Sequence, residues 1–381
     1  MRERLRTLPF FVHPKGMDWP DPSPLLAPLT RWFDGSRRRL PWRAEDLDAL
    51  HPDPYHVLVS EFMLQQTQVT TVIPYFDQWL DRFPDVTTLA AATLDEVHLH
   101  WQGLGYYRRA HHLRACAAVI AASGWPRQRE QLLKLPGVGP YTASAVASIA
   151  FQVPEPALDG NAFRLFARLL AIRVDPRAVR GSLEAWLRPA LSQLGPSRLT
   201  QAIMELGAQV CRPRNPDCAR CPLKDSCRAL RTGKPTSLPL PRPRPAPKEV
   251  PLAVFAIEVQ ACLLLQEPAG QGLLAGMWRW PTFELTEEQA PFLDNSALEP
   301  AGPSWTQVYS HRRERVTPYW VELTWQPRPG PGQVWVPRSQ IQALPLGRRD
   351  DEMRTLISGP RGHKQRLPKS ISETLLDRLI Y

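Results

Sequence analysis

The chain has 381 residues, more than one ordinary hydrophobic core accommodates, so two domains are expected. Its 47 lysines and arginines outnumber its 37 aspartates and glutamates, and the net charge of +10 favours a polyanionic partner, whether DNA, RNA or an anionic membrane surface. No apolar run approaches the roughly 20 residues that cross a bilayer, which excludes a membrane-spanning helix.

Residues 1–24 form an N-terminal extension that we expect to be disordered. The first 16 residues lack the continuous apolar stretch of a signal peptide, and Met17 offers a second translation start. A cytoplasmic protein is therefore expected.

Residues 25–233 have a mainly helical pattern. Apolar residues recur near every 3.6 positions in "HVLVSEFMLQQTQVTTVIPYFDQWLDRF", "RRAHHLRACAAVIAA" and "NAFRLFARLLAI". Short stretches with glycine and proline separate these runs, and no run of alternating β-branched residues appears. We predict an all-α domain.

One glutamate falls inside the most apolar of these helices. Glu61 in "SEFMLQQTQVT" is surrounded by Val57, Leu58, Phe62 and Leu64. A carboxyl group in such surroundings would be desolvated, which raises its pKa and suits a general acid. Taken alone, Glu61 is better explained as an exposed helix-surface residue.

The stretch "LPGVGPYTAS" predicts a tight turn before a helix. Gly137 and Gly139 allow conformations that a side chain would forbid, and their N–H groups with the helix start suit a phosphate. A turn without any ligand is the alternative. Further on, Asp159 in "PALDGNAF" stands at the start of another helix, where an N-cap is its simplest role.

Four of the six cysteines lie within 17 positions, with the spacing C-x6-C-x2-C-x5-C: Cys211, Cys218, Cys221 and Cys227. Crowding of this kind predicts a metal centre in a reducing compartment rather than a disulfide scaffold. Zinc is the simplest candidate, but its usual four-cysteine sites use two separated CxxC pairs. The compact loop 211–227 suits a [4Fe–4S] cluster better.

The run "KPTSLPLPRPRPAPKEVP" predicts a semi-rigid proline-rich linker at 234–248. Beyond it, "VPLAVFAIEV", "ACLLLQE", "YWVELTWQ" and "QVWVP" are typical of strands and predict a mixed α+β domain over 249–360. In the tail, 361–381, "SISETLLDRLIY" predicts a short helix.

Five motifs in order resemble adenine DNA glycosylases of the MutY type, in the helix-hairpin-helix superfamily related to endonuclease III: "SEFMLQQTQVTTVIPYF", "WQGLGYYRRAHHL", "LPGVGPYTASAV", "ALDGNAFRLFARL" and the cysteine loop. The resemblance covers nearly all of residues 40–228. It implies a multi-domain protein with an all-α helix-hairpin-helix glycosylase domain, a structural [4Fe–4S] cluster in the cysteine loop, and an α+β Nudix-like C-terminal domain. A monomer acting on the chromosome in a bacterial cytoplasm is expected.

The resemblance also implies roles for individual residues. Glu61 would protonate N7 of adenine and later help to activate water, while Asp159 would stabilise the sugar cation. Asn161 would orient Asp159 and the water, and Tyr141 would support the same carboxylate. Cleavage through an oxocarbenium-like state uses such a pair of carboxyl groups, and the target base must first leave the helix stack.

Other positions match residues that meet DNA in this family. Gln66 and Tyr106 resemble the side chains wedged into the duplex on the two sides of the damaged base, while Arg43 and Gln201 match positions that contact the flipped adenine. Two further residues would line the adenine pocket, although core packing explains them equally well: Trp42 and Leu64.

"GLLAGMWRWPTFE" resembles the C-terminal domain of the family, but the chain lacks the REx2EExG box of Nudix hydrolases, so hydrolysis of nucleoside diphosphates is not expected. Tyr309-Ser310-His311 matches a Phe-Ser-His turn that reaches the damaged base, with tyrosine in place of phenylalanine. Ser310 would bond the Hoogsteen edge of 8-oxoguanine, whose N7 carries a proton that guanine lacks. For His311 an ordinary loop residue is an equally good interpretation.

The predicted function is base-excision repair, in which adenine mispaired with 8-oxoguanine or guanine is released from double-stranded DNA without cutting the strand. A bifunctional endonuclease III-type enzyme is the nearest rival. It places a Schiff-base lysine directly after the hairpin, where this chain has Tyr141. The second rival, an iron–sulfur DNA-binding module without catalysis, would not require Glu61 and Asp159 together.

Overall fold

The computed structural model describes residues 19–43, 52–241, 246–268, 276–285, 298–309, 312–360 and 362–367. Within them the α-helices are α1 (Pro22–Ser36), α2 (Pro54–Met63), α3 (Val69–Arg82), α4 (Val86–Ala91), α5 (Leu94–Trp101), α6 (Arg108–Ser123), α7 (Arg129–Leu132), α8 (Pro140–Phe151), α9 (Gly160–Leu169), α10 (Arg180–Leu194), α11 (Pro196–Gln209), α12 (Arg228–Arg231) and α13 (Arg348–Ser358). The strands are β1 (Lys248–Val259), β2 (Cys262–Gln266), β3 (Thr282–Glu284), β4 (Trp305–Val308), β5 (Arg312–Glu322), β6 (Gln333–Pro337) and β7 (Gln365–Arg366).

The start of the first helix corrects one expectation. We expected residues 1–24 to be disordered. For the last of these residues the expectation is wrong, because α1 begins at Pro22. The Asp21 carboxylate accepts a hydrogen bond from the Ser23 N–H at 3.0 Å and so caps the helix. The tail helix predicted within 368–381 lies outside the described residues.

One compact unit is formed by the described residues of Met1–Phe62 and Gly124–Arg242. Helices α1, α9, α10 and α11 share one hydrophobic core, and α8 packs on α11. Phe166 of α9 is fully buried there and meets Trp186 edge to face, with ring centroids 5.6 Å apart. Burying a side chain of this size contributes roughly 1.5–3 kcal/mol. The core therefore fixes the start of α9, where Asp159 stands.

The other compact unit consists of the described residues of Met63–Ser123 and Pro243–Tyr381. In its helical part, α4 and α5 pack on α6, and Trp79 of α3 meets Trp101 of α5 edge to face with centroids 5.5 Å apart. The apolar period predicted over residues 56–83 is interrupted in the structure. α2 ends at Met63 and α3 begins at Val69, because Gln66 between them has φ 60°, which a right-handed helix cannot contain.

A mixed sheet forms the C-terminal part of this unit, with the strand order β4-β5-β1-β2-β6. β1 and β5 run parallel from the pair Lys248–Arg312 to the pair Glu258–Glu322. β4 pairs antiparallel with β5, β2 with β1, and β6 with β2, while β3 and β7 add short pairings to β1 and β5. The mixed architecture predicted for the C-terminal part is confirmed, whereas a Nudix-like identity stays a prediction.

Both faces of the sheet are buried, which explains the nearly continuous apolar run of β1. Ala253, Phe255 and Ile257 lie in one core, and the alternate residues Val254 and Ala256 lie in another. In the second core they pack with apolar side chains of α13. Among the described residues, no helix is long and apolar enough to cross a membrane.

Candidate active site

Glu61 lies on α2 with only 7% of its surface exposed. The helix places Val57, Leu58 and Phe62 around it, each exposed by 2% or less. Burial raises the pKa of Glu61 to about 7, the hydrogen bond with Tyr141 lowers it, and the negative charge of Asp159 raises it. A large part of Glu61 is therefore a neutral acid at neutral pH, as a proton donor requires.

Tyr141 is the second residue of α8 and connects the hairpin to the buried acid. Its phenol is hydrogen-bonded with Glu61, and its hydroxyl lies 4.0 Å from Met204 Sδ. Burial and the carboxyl groups of Glu61 and Asp159 raise the pKa of Tyr141 well above its usual value. The side chain is therefore a neutral donor and not a phenolate nucleophile.

Asp159 is the N-cap of α9 and a fixed acceptor. Its carboxylate accepts hydrogen bonds from Ala162 N at 2.7 Å and from Asn161 Nδ2 at 2.9 Å. Burial raises the pKa of Asp159 above its ordinary value, and these hydrogen bonds and the charge of Arg164 only partly oppose that shift. Glu61, Tyr141, Asp159 and Asn161 thus form one connected cluster.

Two residues absent from the sequence prediction support this cluster. Arg164 Nη2 donates to Asn161 Oδ1 at 2.8 Å and to Gly207 O at 2.7 Å, and its Nε donates to Cys211 O at 2.8 Å. Gly207 permits the approach of α11, because a Cβ there would lie 2.7 Å from Asn161 Cβ. Arg164 could have been found from the sequence, because it is an arginine three residues after Asn161 on an apolar helix. The local sequence around Gly207 gives no such indication of its contact with Asn161.

The hairpin turn takes the expected shape at one glycine only. Gly137 has φ 71°, in the region that favours glycine. The conformational argument for Gly139 is wrong, because its φ of −88° and ψ of 176° are ordinary extended values. A Cβ at Gly139 would meet nothing within 4 Å, so the position is open on its outer side.

Arg43, one of the residues expected to contact adenine, is bonded to Glu205, a buried carboxylate that the sequence prediction did not include. Glu205 is fully buried and accepts from Arg43 Nη2 at 2.8 Å and from Arg38 Nε at 2.7 Å. Burial raises the pKa of Glu205, but both arginines outweigh it and bring the pKa to about 2. Gln201 is buried on α11 and donates to Ser197 Oγ at 3.1 Å, and Trp42 is 8% exposed.

Gln66, Tyr106 and Leu64 belong to the other compact unit. Gln66 is exposed and Leu64 half-buried in the turn between α2 and α3. Tyr106 is 38% exposed in the turn between α5 and α6. Arg109, which the sequence reasoning also missed, contacts both turns.

The four cysteines are half-buried and line one cavity, together with apolar residues such as Leu165 and Leu223. Arg168 holds their loop, with Nη1 at 2.7 Å from Arg212 O and 3.4 Å from Cys211 Sγ. Among the described residues no three metal-binding side chains converge on a single-ion site. Four thiols around one cavity are nevertheless the donor set of an iron–sulfur cluster, which the residues therefore fit.

Tyr309 is the first residue of the turn predicted to reach 8-oxoguanine. Its N–H donates to Arg312 O at 2.8 Å, and its phenol lies by the fully buried Glu314. Burial and the charge of Glu314 raise the pKa of Tyr309, so it stays a phenol. Ser310 and His311 lie outside the described residues.

Residues 59–189 match the HhH-GPD superfamily of base excision DNA repair proteins. The adenine DNA glycosylase of Arabidopsis thaliana is 36% identical over 300 residues, covering 68% of this chain and 47% of that protein. The human adenine DNA glycosylase is 44% identical over 209 residues, covering 53% of this chain and 38% of that protein. This chain thus spans less than half the length of these two relatives.

The adenine DNA glycosylase of Mycolicibacterium smegmatis is 41% identical over 210 residues, covering 54% of this chain and 70% of that protein. The match covers most of that relative's length, and residues 59–189 also match the superfamily. This chain therefore belongs to the adenine DNA glycosylases of the HhH-GPD superfamily.

Proposed function

We propose that this protein hydrolyses the N-glycosidic bond of adenine paired with 8-oxoguanine or guanine in double-stranded DNA. The observation that carries the proposal is the cluster in which Glu61, with a pKa of about 7 and a hydrogen bond with Tyr141, lies within electrostatic reach of Asp159, which accepts a hydrogen bond from Asn161. Two carboxyl groups with different environments are what acid-assisted cleavage of a glycosidic bond uses.

In the bond-breaking step, Glu61 donates its proton to N7 of the extruded adenine. The electrons of the C1′–N9 bond then move to the base, which leaves as neutral adenine. Tyr141 donates a hydrogen bond to the Glu61 carboxylate as it forms. Burial raises the pKa of Glu61 to about 7, so a large fraction of the acid carries its proton at neutral pH.

Asp159 stabilises the positive charge that develops on the sugar. Two hydrogen bonds hold its carboxylate, so little reorganisation is needed as the cation forms. Water then adds to C1′, and the Glu61 carboxylate takes the proton that this water loses. The products are free adenine and an abasic site, and Glu61 returns to its acid form.

The residues of the same site favour base release without cleavage of the DNA strand. Strand cleavage through a Schiff base needs an amine at the sugar. Tyr141 occupies the position after the hairpin, and its raised pKa keeps it a neutral phenol. Lys134 stands before the hairpin and does not take that position.

DNA is the proposed partner, bound through several sequence-independent contacts. The hairpin of Gly137 and Gly139 would receive a backbone phosphate, and Arg212 and Arg214 of the cysteine loop would meet another. The four cysteines would hold a [4Fe–4S] cluster whose contribution is structural, namely to fix this loop. The net charge of +10 suits such a partner.

Selectivity for the two bases would come from separate residues. Glu205 holds the guanidinium of Arg43, which we assign with Gln201 to contacts with the extruded adenine. Trp42 and Leu64 are each assigned an apolar contact with that base. Gln66 and Tyr106 are assigned to the duplex on the two sides of the lesion. A further group would read 8-oxoguanine in the opposite strand: Tyr309, Ser310 and His311.

The test uses duplexes in which adenine faces 8-oxoguanine, guanine or thymine. Adenine release without a strand break until alkali is added supports the proposal, with 8-oxoguanine and guanine preferred over thymine. Glu61→Gln should bind the duplex but release no adenine, whereas Glu130→Gln, an exposed control on α7, should behave like the unsubstituted protein. Breaks that appear without alkali would identify a bifunctional enzyme instead.

A further inference from the structure

Two exposed side chains proposed to enter the duplex stand on turns with the same unusual backbone. Gln66 has φ 60° and Tyr106 has φ 50°, both in the left-handed region. Non-glycine residues are strained there and persist only where surrounding contacts stabilise them. Such contacts exist, and one buried side chain, that of Arg109, makes several of them at both turns.

Arg109 of α6 bonds to the first of these turns with one edge of its guanidinium. Nη1 donates to Met63 O at 2.9 Å and to Gln65 O at 2.6 Å, and Nη2 donates to Thr67 Oγ1 at 3.2 Å. Two of these acceptors belong to Gln65 and Thr67, immediately before and after Gln66. Both flanks of the proposed wedge are therefore tied to the same arginine.

The second turn is bound by the same group. Nη2 also donates to Leu104 O and Gly105 O, each at 2.9 Å, directly before Tyr106. The guanidinium lies over the Tyr106 ring, 5.6 Å from its centroid, and over the Trp101 ring at 5.2 Å. The Tyr106 ring nevertheless remains 38% exposed. Arg109 itself is only 7% exposed.

The planar fork of arginine is needed for this arrangement. The two terminal nitrogens carry four N–H groups with fixed directions and contact five acceptors on two separate turns, so one N–H of Nη2 is shared between two acceptors. A lysine has one terminal nitrogen with three donors, so it keeps the charge but can serve only some of these acceptors. The carbonyls left over would be buried without partners, which destabilises the present geometry of the turns.

We propose that Arg109 is a positioning residue that fixes the spacing of Gln66 and Tyr106, so that both side chains enter the duplex together when adenine is extruded. This inference rests on the proposed function, since it concerns how that function reaches its substrate. Extrusion is costliest for a stacked and paired base. Loss of the spacing should therefore slow release of a paired adenine more than release of one that is already unpaired.

The experiment compares Arg109→Lys with the unsubstituted protein on two duplexes. One holds adenine opposite 8-oxoguanine, and the other holds adenine opposite an abasic-site analogue, where the base has no partner. Single-turnover release from the first should fall about tenfold or more, and from the second less than about threefold. Arg114→Lys is the control, because Arg114 lies on the same helix and donates to a backbone carbonyl, Ala92 O, at 2.6 Å.

A second readout reports extrusion without chemistry. A 2-aminopurine next to the target adenine gains fluorescence when the stack opens, and this gain should fall in Arg109→Lys and stay unchanged in Arg114→Lys. Thr67→Ala removes one of the five bonds and should shift both readouts in the same direction by a smaller amount. It serves in place of Arg109→Lys if that variant does not fold.

Equal losses on the two duplexes, or no loss on either, would overturn the role of Arg109 while leaving the proposed function standing. A result in which the unsubstituted protein releases adenine from neither duplex would instead overturn the proposed function itself, and the Arg109 inference with it.

Discussion

Glu61 and Asp159 carry the same functional group but stand in different surroundings. Glu61 lies among apolar side chains, and its one opposing influence is the hydrogen bond with Tyr141. Asp159 receives donors from the start of its own helix and the positive charge of Arg164. Burial raises the pKa of both groups, but only Asp159 has several donors and a nearby cation that oppose the shift, which suits Glu61 to hold a proton and Asp159 to face a developing cation.

The proton on Glu61 gives the reaction a pH limit. If base release needs the neutral acid, its single-turnover rate should fall about tenfold per pH unit above a pKa of about 7. The measurement is the rate of adenine release from a duplex with 8-oxoguanine across the neutral and alkaline range. A rate that stays flat through this range would exclude Glu61 as the proton donor.

Tyr141→Phe and its control Tyr75→Phe test whether the pKa of Glu61 sets the alkaline limit of the rate. Because the Tyr141 hydrogen bond lowers the pKa of Glu61, Tyr141→Phe should move the alkaline limb to higher pH. Tyr75→Phe is the control, since its hydroxyl donates to Gln102 O at 2.9 Å and should leave the limb in place.

At the scale of the elements, the apolar periodicity predicted those helices and strands whose bounds depend on local interactions. The helix beginning at Arg108 and the strand Gln333–Pro337 match their predicted segments closely. Periodicity failed at the turn around Gln66, because the apolar repeat continues through residues whose backbone leaves the helix. The expectation for Gly139 failed because a glycine in the sequence does not reveal which φ it adopts.

The candidate site was predictable from the sequence in part. Glu61, Asp159 and the cysteines stand in recognisable motifs, so their part of the arrangement could be anticipated from spacing and resemblance. Glu205 and Arg109 could not, because their roles depend on partners far along the chain, such as Arg38 for Glu205. Contacts of that kind form only when helices pack, and no local pattern encodes them.

The contact between α9 and α11 yields a prediction about Gly207. A Cβ at this position would stand 2.7 Å from Asn161 Cβ, so Gly207→Ala must push away the start of α9 and the Asp159 carboxylate with it. Overpacking of this kind costs about 1–3 kcal/mol, and we expect adenine release to fall more than tenfold because catalytic geometry is sensitive to roughly 1 Å. Denaturant unfolding and single-turnover kinetics measure the two effects.

Gly181→Ala provides the control for Gly207→Ala. Gly181 lies in α10, and a Cβ there would meet nothing within 4 Å. Alanine has the better helix propensity, so this variant should be as stable as the parent or slightly more stable, with unchanged activity. If Gly207→Ala behaved in the same way, the close packing of the two helices would not be what positions Asp159.

At the scale of the whole molecule, each compact unit combines two separate stretches of sequence. Met63–Ser123 is grouped with residues of the C-terminal half, and the contacts that join them are specific. Tyr107 donates to Leu346 O at 3.4 Å, and a Cβ at Gly276 would lie 2.0 Å from His98 Cε1. The domain boundary predicted at the proline-rich linker stays a prediction.

His98 makes the stability of this unit depend on pH. The side chain is fully buried, and neither ring nitrogen makes a well-formed hydrogen bond among the described residues. Burial lowers its pKa from 6.5 to about 4, against smaller opposing effects of the Gly276 backbone and Asp95, while His111 adds to the lowering. The folded state therefore binds fewer protons than the unfolded state between these two values.

The free energy of unfolding should consequently fall as the pH is lowered from about 6.5 to about 4, by about 3 kcal/mol from His98 alone. Glu61 acts in the opposite sense, since its raised pKa makes the folded state bind more protons, so the effect is measured as a difference between proteins. His98→Gln should flatten the acid dependence, whereas His100→Gln, on the same helix and bonded to Glu96 O at 2.9 Å, should retain it. Denaturant titrations at neutral and acidic pH measure the free energy of unfolding of each protein. If that free energy changed with pH equally in all three proteins, His98 would already be charged in the folded state or would pair with a group that holds its proton.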